Sequence, residues 1–218
     1  MGLLNLTPTT LLANAIALLI GMTLHEFAHA WVATRMGDPT PRQEGRLTLN
    51  PFVHINWIGF LMFAVIGFGM LGSTPISPRR MRNPRWGAVA ALAAGPLANL
   101  LIALVFALVF RVVEPMFYAG SVPAIVLTIL QTIVFINVLL FLFNLIPLFP
   151  LDGWRIVEAL LPVKAANWWS DNRQNSFYLF ILLIVLSLVP DGYGVPDILG
   201  TLIGRPTAQI SFSLLGYI

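Results

Sequence analysis

The sequence predicts an all-α, polytopic integral membrane protein of about four to six transmembrane helices, with a membrane re-entrant β-strand or hairpin between the first two. Three observations carry that expectation. Of 218 residues, 58% are hydrophobic and only 10% charged, whereas a soluble domain averages about 25% charged. The mean hydropathy is +0.85. Five apolar segments stand out along the chain, and lipid must therefore act as solvent for much of the surface.

The same numbers exclude other classes. There is no room for a large soluble domain beside several spans. The chain has no cysteine, so disulfides and thiolate metal sites are excluded. The formal net charge is only +3, and the basic residues cluster in loops. They read as topology signals, and no nucleic-acid surface is expected. No Lys or Arg precedes Arg35, so the positive start of a signal peptide is missing and the first apolar run is kept as part of the mature protein.

The elements follow in order within a single membrane-embedded domain, 1–218, with a core over 9–160. The first apolar run, 11–32, predicts a helix over 9–36. The second, 57–71, is short and is rich in glycine: Gly59, Gly67, Gly69 and, just beyond, Gly72. The third and fourth predict helices over 86–111 and 122–150, the latter ending in an Asp-Gly motif. A fifth run and an apolar tail occupy 176–218. A helical span needs roughly 20 residues, so the first, third and fourth runs qualify easily and the second is marginal.

Charge sets the orientation. Arg79, Arg80, Arg82 and Arg85 sit directly before the third run, which places that loop in the cytoplasm. The third run exits and the fourth returns. The loop after Asp152, with Arg155, Lys164 and Arg173, is then cytoplasmic too. Arg35, Arg42 and Arg46 make the first loop basic as well. With both flanking loops on one side, the glycine-bearing run cannot cross once, so a re-entrant element over 40–78 is expected. Non-helical backbone survives at that depth only where protein or water covers it. The preceding "GRLTLNPFVHIN" has the alternation and turn residues of a short strand pair. The alternative is an ordinary tilted span.

The first span carries "HEFAH". Residues four apart share one helix face, so His25 and His29 can present two imidazoles to one metal ion. Glu26 lies beside them, placed to accept a proton from water. This is the H-E-x-x-H arrangement of zinc hydrolases. Each ionisable group at mid-membrane costs roughly 2.5–3.5 kcal/mol on insertion scales, and a bound cation compensates for that cost. The alternative is a set of interfacial polar residues near a helix end.

A catalytic zinc needs a third protein ligand and an open position. In "FNLIPLFPLDGW", Pro147 and Pro150 end a helix and leave Asp152 at the cytoplasmic mouth of the fourth span, at the depth of His25 and His29. Asp152 is the natural third ligand, and His54 remains a competitor, with the alternative that it braces a ligand or touches substrate. Asp38 and Glu44 read as solvated loop charges, Glu114 as belonging to the opposite loop, and Glu158 as a surface residue. Asn99, in "AALAAGPLAN", reads either as packing among small residues or as bracing the site. Trp86, Trp154, Trp168 and Trp169 read as interfacial anchors.

Taken together, "HEFAH", "AAGPLAN" and "NLIPLFPLDG", in that order and over most of the chain, resemble the site-2 protease family of intramembrane zinc metalloproteases. "GRLTLNPFVHIN" and "NPRWG" are similar to its compact prokaryotic branch without a PDZ domain. Trp154 stands after Gly153 where the family usually has a second glycine. The resemblance implies one Zn²⁺ on His25, His29 and Asp152, with Glu26 activating water. It also implies that Asn144 assists binding of substrate or oxyanion, and that a substrate strand pairs with a membrane-embedded β element. The expected substrates are single-pass membrane proteins or signal-peptide remnants. The expected place is the cell (inner or plasma) membrane, with the active site toward the cytoplasm. The rival classes are a metal-binding or metal-transporting membrane protein and an inactive adaptor relative.

Overall fold

The computed structural model describes residues 7–54, 56–59, 61, 72–189 and 196–217. Its framework is three helices long and apolar enough to cross a membrane: α1 (Pro8–Arg35), α4 (Pro84–Tyr118) and α5 (Ala124–Asn144). The short helices α2 (Thr40–Gln43) and α3 (Pro51–His54) are among the described elements between α1 and α4. After α5 come α6 (Asp152–Leu160), α7 (Val163–Asp171), α8 (Arg173–Ser187) and α9 (Arg205–Leu215).

Local chemistry explains where the long helices begin and end. Thr7 and Thr10 form a reciprocal capping box at the start of α1, with proline in its first turn, an arrangement that satisfies otherwise orphaned N–H groups. Asn83 accepts from the Trp86 N–H at 3.2 Å and starts α4. That helix runs past the expected end at 111 to Tyr118, and Gly120 (φ 75°) closes it, a left-handed conformation that glycine adopts freely. Helix α5 stops at Asn144, short of the expected 150. The residue before a proline is disfavoured in helical geometry, and 145–151 instead forms turns around Pro147 and Pro150.

The three long helices pack on one another. Leu18 and Met22 of α1, Ile102 of α4, and Ile133, Ile136 and Leu140 of α5 form one buried cluster. A second joins Ala103, Ala107 and Phe110 to Leu130, Val134 and Val138, and Leu215 of α9 closes it. Leu97, Leu101, Leu104, Leu108 and Val112 of α4 all face outward. An unbroken apolar stripe of this kind is stable only against lipid, and the chain is an integral membrane protein.

Some expectations are corrected. Among the described residues there is no strand, and the described positions of the expected strand pair over 45–56 form a turn, bends, irregular backbone and α3. The physical reason is local: the Asn50 side chain accepts from the Phe52 N–H at 3.0 Å, an Asx turn that competes with extended pairing. Residue 60 and residues 62–71, where the re-entrant element was expected, lie outside the described residues. The fifth apolar run forms a 15-residue helix, too short to count with the three spans. Trp154 is buried, stacked on Trp169 with ring centroids 4.2 Å apart. Asp38, expected in solvent, is fully buried. Its carboxylate accepts from the Ser77 N–H at 2.6 Å and from the Thr40 hydroxyl at 2.6 Å. This carboxylate ties the extended stretch after Gly72 to the end of α1.

Candidate metal centre

The α1 face carries His25 and His29 one turn apart, and both are buried. The turn after α5 brings Asp152, the first residue of α6, against them. Asp152 Oδ2 lies 3.1 Å from Nε2 of each histidine, and the two Nε2 atoms are 3.0 Å apart. The three donors form a nearly equilateral triangle whose sides approach the roughly 3.3 Å edge of a tetrahedral zinc site with ligand bonds near 2.0–2.1 Å.

The other ring nitrogens decide what these atoms are. His29 Nδ1 is 2.7 Å from the Ala91 carbonyl, which can only accept. His25 Nδ1 is 2.6 Å from Asn99 Oδ1, also an acceptor. Both imidazoles therefore carry hydrogen on Nδ1, which leaves Nε2, facing the carboxylate oxygen, as the ring atom able to offer a lone pair. Three electron-rich atoms at this spacing repel unless a proton or cation lies among them. Two nitrogens and one oxygen suit Zn²⁺, so the donor set fits that ion.

The backbone of α4 shapes the floor. A Cβ at Gly95 would stand 2.7 Å from His25 Cε1 and closer still to His29 Nε2. No side chain fits there without displacing the imidazoles. Glu26 is buried beside the triangle, and its Oε2 accepts from the Thr74 hydroxyl at 2.6 Å. A cleft lined by His25, Glu26, His29, Thr74, Asn144 and Asp152 opens over the group.

Among the described residues, His25, His29 and Asp152 are the group of side chains able to hold a metal, and the expected competitor His54 is not in it. His54 Nε2 instead donates to the Thr48 carbonyl at 2.6 Å. Asn99 touches His25 directly. Asn144 lines the cleft, but its amide donates to the Leu140 carbonyl at 3.0 Å, one turn back in its own helix. Sequence reading missed Thr74 and Asn137, which lies fully buried against Asn99. A polar residue inside the apolar run "TIVFINVLLF" was the available signal for Asn137. Thr74 gave none.

The profile of Peptidase family M50 matches residues 13–122 and 112–188, and the chain belongs to this family. The protein "Putative zinc metalloprotease YwhC" of Bacillus subtilis is 37% identical over 175 residues, 79% of this chain and 80% of that one. "Putative zinc metalloprotease Rip2" of Mycolicibacterium smegmatis is 27% identical over 176 residues, 77% of this chain and 64% of that one. "Zinc metalloprotease MJ0392" of Methanocaldococcus jannaschii is 30% identical over 149 residues, 68% of this chain but only 34% of that one. No solved structure matches. The chain is thus a membrane-embedded zinc metalloprotease of the site-2 protease type, and its cofactor is Zn²⁺.

Proposed function

We propose that His25, His29 and Asp152 hold the zinc, that Glu26 is the general base, and that residues 1–218 act as one unit cleaving peptide bonds within or near transmembrane segments. The observation that carries this reading is the triangle of three donors with a buried carboxylate beside it. Zinc held there would supply Lewis acidity and would lower the pKa of the attacking water toward about 7. Glu26 accepts a proton from water as that water attacks the scissile carbonyl, and later returns it to the leaving amine. Thr74 fixes the carboxylate by its hydrogen bond to Oε2. Asn144 has a second N–H beyond the one given to Leu140. That hydrogen is available to the developing oxyanion.

The cleft lies within a bundle faced by lipid, which supports membrane-protein substrates. Single-pass proteins and signal-peptide remnants are the proposed class. A substrate helix must unwind locally to expose its carbonyl, and a neighbouring extended segment then satisfies the freed backbone groups. The His54 backbone carbonyl lies against Gly72, and we propose that this edge is where substrate backbone pairs. The arginine-rich loops favour a cell-membrane location with the site facing the cytoplasm.

The test pairs Glu26→Gln with Asp152→Ala in purified protein given a transmembrane-segment peptide. Glu26→Gln keeps zinc and loses cleavage, while Asp152→Ala loses both. Cleavage surviving in Glu26→Gln would overturn the assignment of the base and favour a metal-binding role without proteolysis.

A further inference from the structure

Asn137 is a fully buried polar side chain in α5 that no step of the reaction uses. Its amide Nδ2 donates to the Ile133 carbonyl at 2.9 Å. Its Oδ1 accepts from Asn99 Nδ2 at 2.9 Å. Asn99 Nδ2 also donates to the Gly21 carbonyl of α1 at 3.1 Å, and Asn99 Oδ1 faces His25 Nδ1 at 2.6 Å. The chain of bonds runs across all three spans and ends on the imidazole.

The direction of this chain is not free. Backbone carbonyls can only accept, so Ile133 obliges Asn137 to present its nitrogen there. Asn137 Oδ1 must then face Asn99. Gly21 and Asn137 together claim both hydrogens of the Asn99 amide, which leaves only Oδ1 for His25. His25 therefore has to donate from Nδ1, which leaves Nε2 as the ring atom able to offer a lone pair to a metal. The two amides can meet because Gly21 has no side chain: a Cβ there would stand 2.8 Å from Asn137 Oδ1.

We infer that Asn137 is a positioning residue for the metal centre, which through Asn99 fixes the tautomer and orientation of His25 although it touches neither zinc nor substrate. This rests on the assignment of His25 as a ligand. It differs from generic polar contact between membrane helices, which carries no requirement for donor direction. Partners behind a metal-bound histidine govern metal affinity by about 10–100-fold.

The experiment uses full-length protein in detergent, stripped of zinc and labelled with ¹⁵N-histidine. Asn137→Leu keeps the branched shape and removes both bonds. Asn137→Asp, protonated at this depth, donates to Ile133 and accepts from Asn99 as the native amide does. Zinc affinity is read by competition with a chromophoric chelator, and the His25 tautomer by ¹⁵N shifts in the zinc-free protein. Asn137→Leu weakens zinc binding about 10–100-fold and mixes the His25 tautomers. Asn137→Asp stays near wild type in both. Should Asn137→Leu not accumulate, Gly21→Ala wedges the same two amides apart and gives the same loss. Unchanged affinity with an unchanged Nδ1–H tautomer, or lower thermal stability alone, overturns the inference. His25→Ala separates the two levels. If it binds no zinc while Asn137→Leu binds normally, only the relay fails. If His25→Ala binds as tightly as wild type, the ligand assignment itself is wrong.

Discussion

Thr74 donates its hydroxyl to Glu26 Oε2 at 2.6 Å, joining the extended stretch after Gly72 to the carboxylate beside the His25, His29 and Asp152 group. Both residues are buried, so this bond forms away from bulk water. Hydrogen bonds to charged groups contribute about 1.5–3 kcal/mol. Thr74→Val keeps the shape and removes the donor. It lowers kcat about tenfold or more and leaves zinc content unchanged, while Thr74→Ser restores the rate. Single-turnover cleavage with parallel metal analysis checks this, and a Thr74→Val rate equal to wild type would refute it.

Gly95 sets the space available to the imidazoles. An added methyl would overlap His29 Nε2 and approach His25 Cε1 to 2.7 Å. Buried helix backbone cannot retreat without breaking the packing around it. Gly95→Ala therefore loses zinc when purified in parallel with wild type, although the ligands themselves are intact. Elemental analysis of the purified protein decides the matter, and full zinc occupancy would contradict the close contact.

Removing the metal has two consequences. Chelation stops cleavage, and added Zn²⁺ restores it. Zinc binding also stabilises the fold by mass action, about 2.7 kcal/mol at a concentration 100 times Kd. Thermal unfolding in detergent shows a higher midpoint with zinc than without for wild type, and no such difference for Asp152→Ala. Equal shifts in both proteins would place the metal elsewhere.

Trp154 holds the helix that carries Asp152 against α7. Its ring stacks on Trp169, whose indole N–H donates to the Trp154 carbonyl at 3.1 Å. An aromatic pair contributes about 0.5–1.5 kcal/mol and a neutral hydrogen bond about the same. Trp169→Ala destabilises the protein by about 1–3 kcal/mol. Trp168→Ala, at an exposed position, leaves the unfolding midpoint near wild type. The opposite ranking would show that the stack does not matter.

Much of the candidate site is legible in the sequence because its signals are local. Helical spacing alone put His25 and His29 on one face with Glu26 beside them. Pro147 and Pro150 marked the end of the fourth span and left Asp152 at its mouth. Asp38 was misread because a lone aspartate in a polar loop gives no sign of its partners. Its burial comes from Ser77, 39 positions away. Trp154 was misread as an interfacial anchor for a similar reason, since its partner Trp169 belongs to another helix.

By itself the sequence determined the solvent, the long apolar helices and the residue types able to hold zinc, because hydropathy and helical period act over a few neighbouring residues. Only the tertiary structure decided that Asp152 reaches within 3.1 Å of His29, 123 positions away, and that Thr74, Gly95, Asn99 and Asn137 surround the centre. Those contacts depend on how three spans pack, and the identity of a single polar residue in an apolar run does not encode which helix will face it.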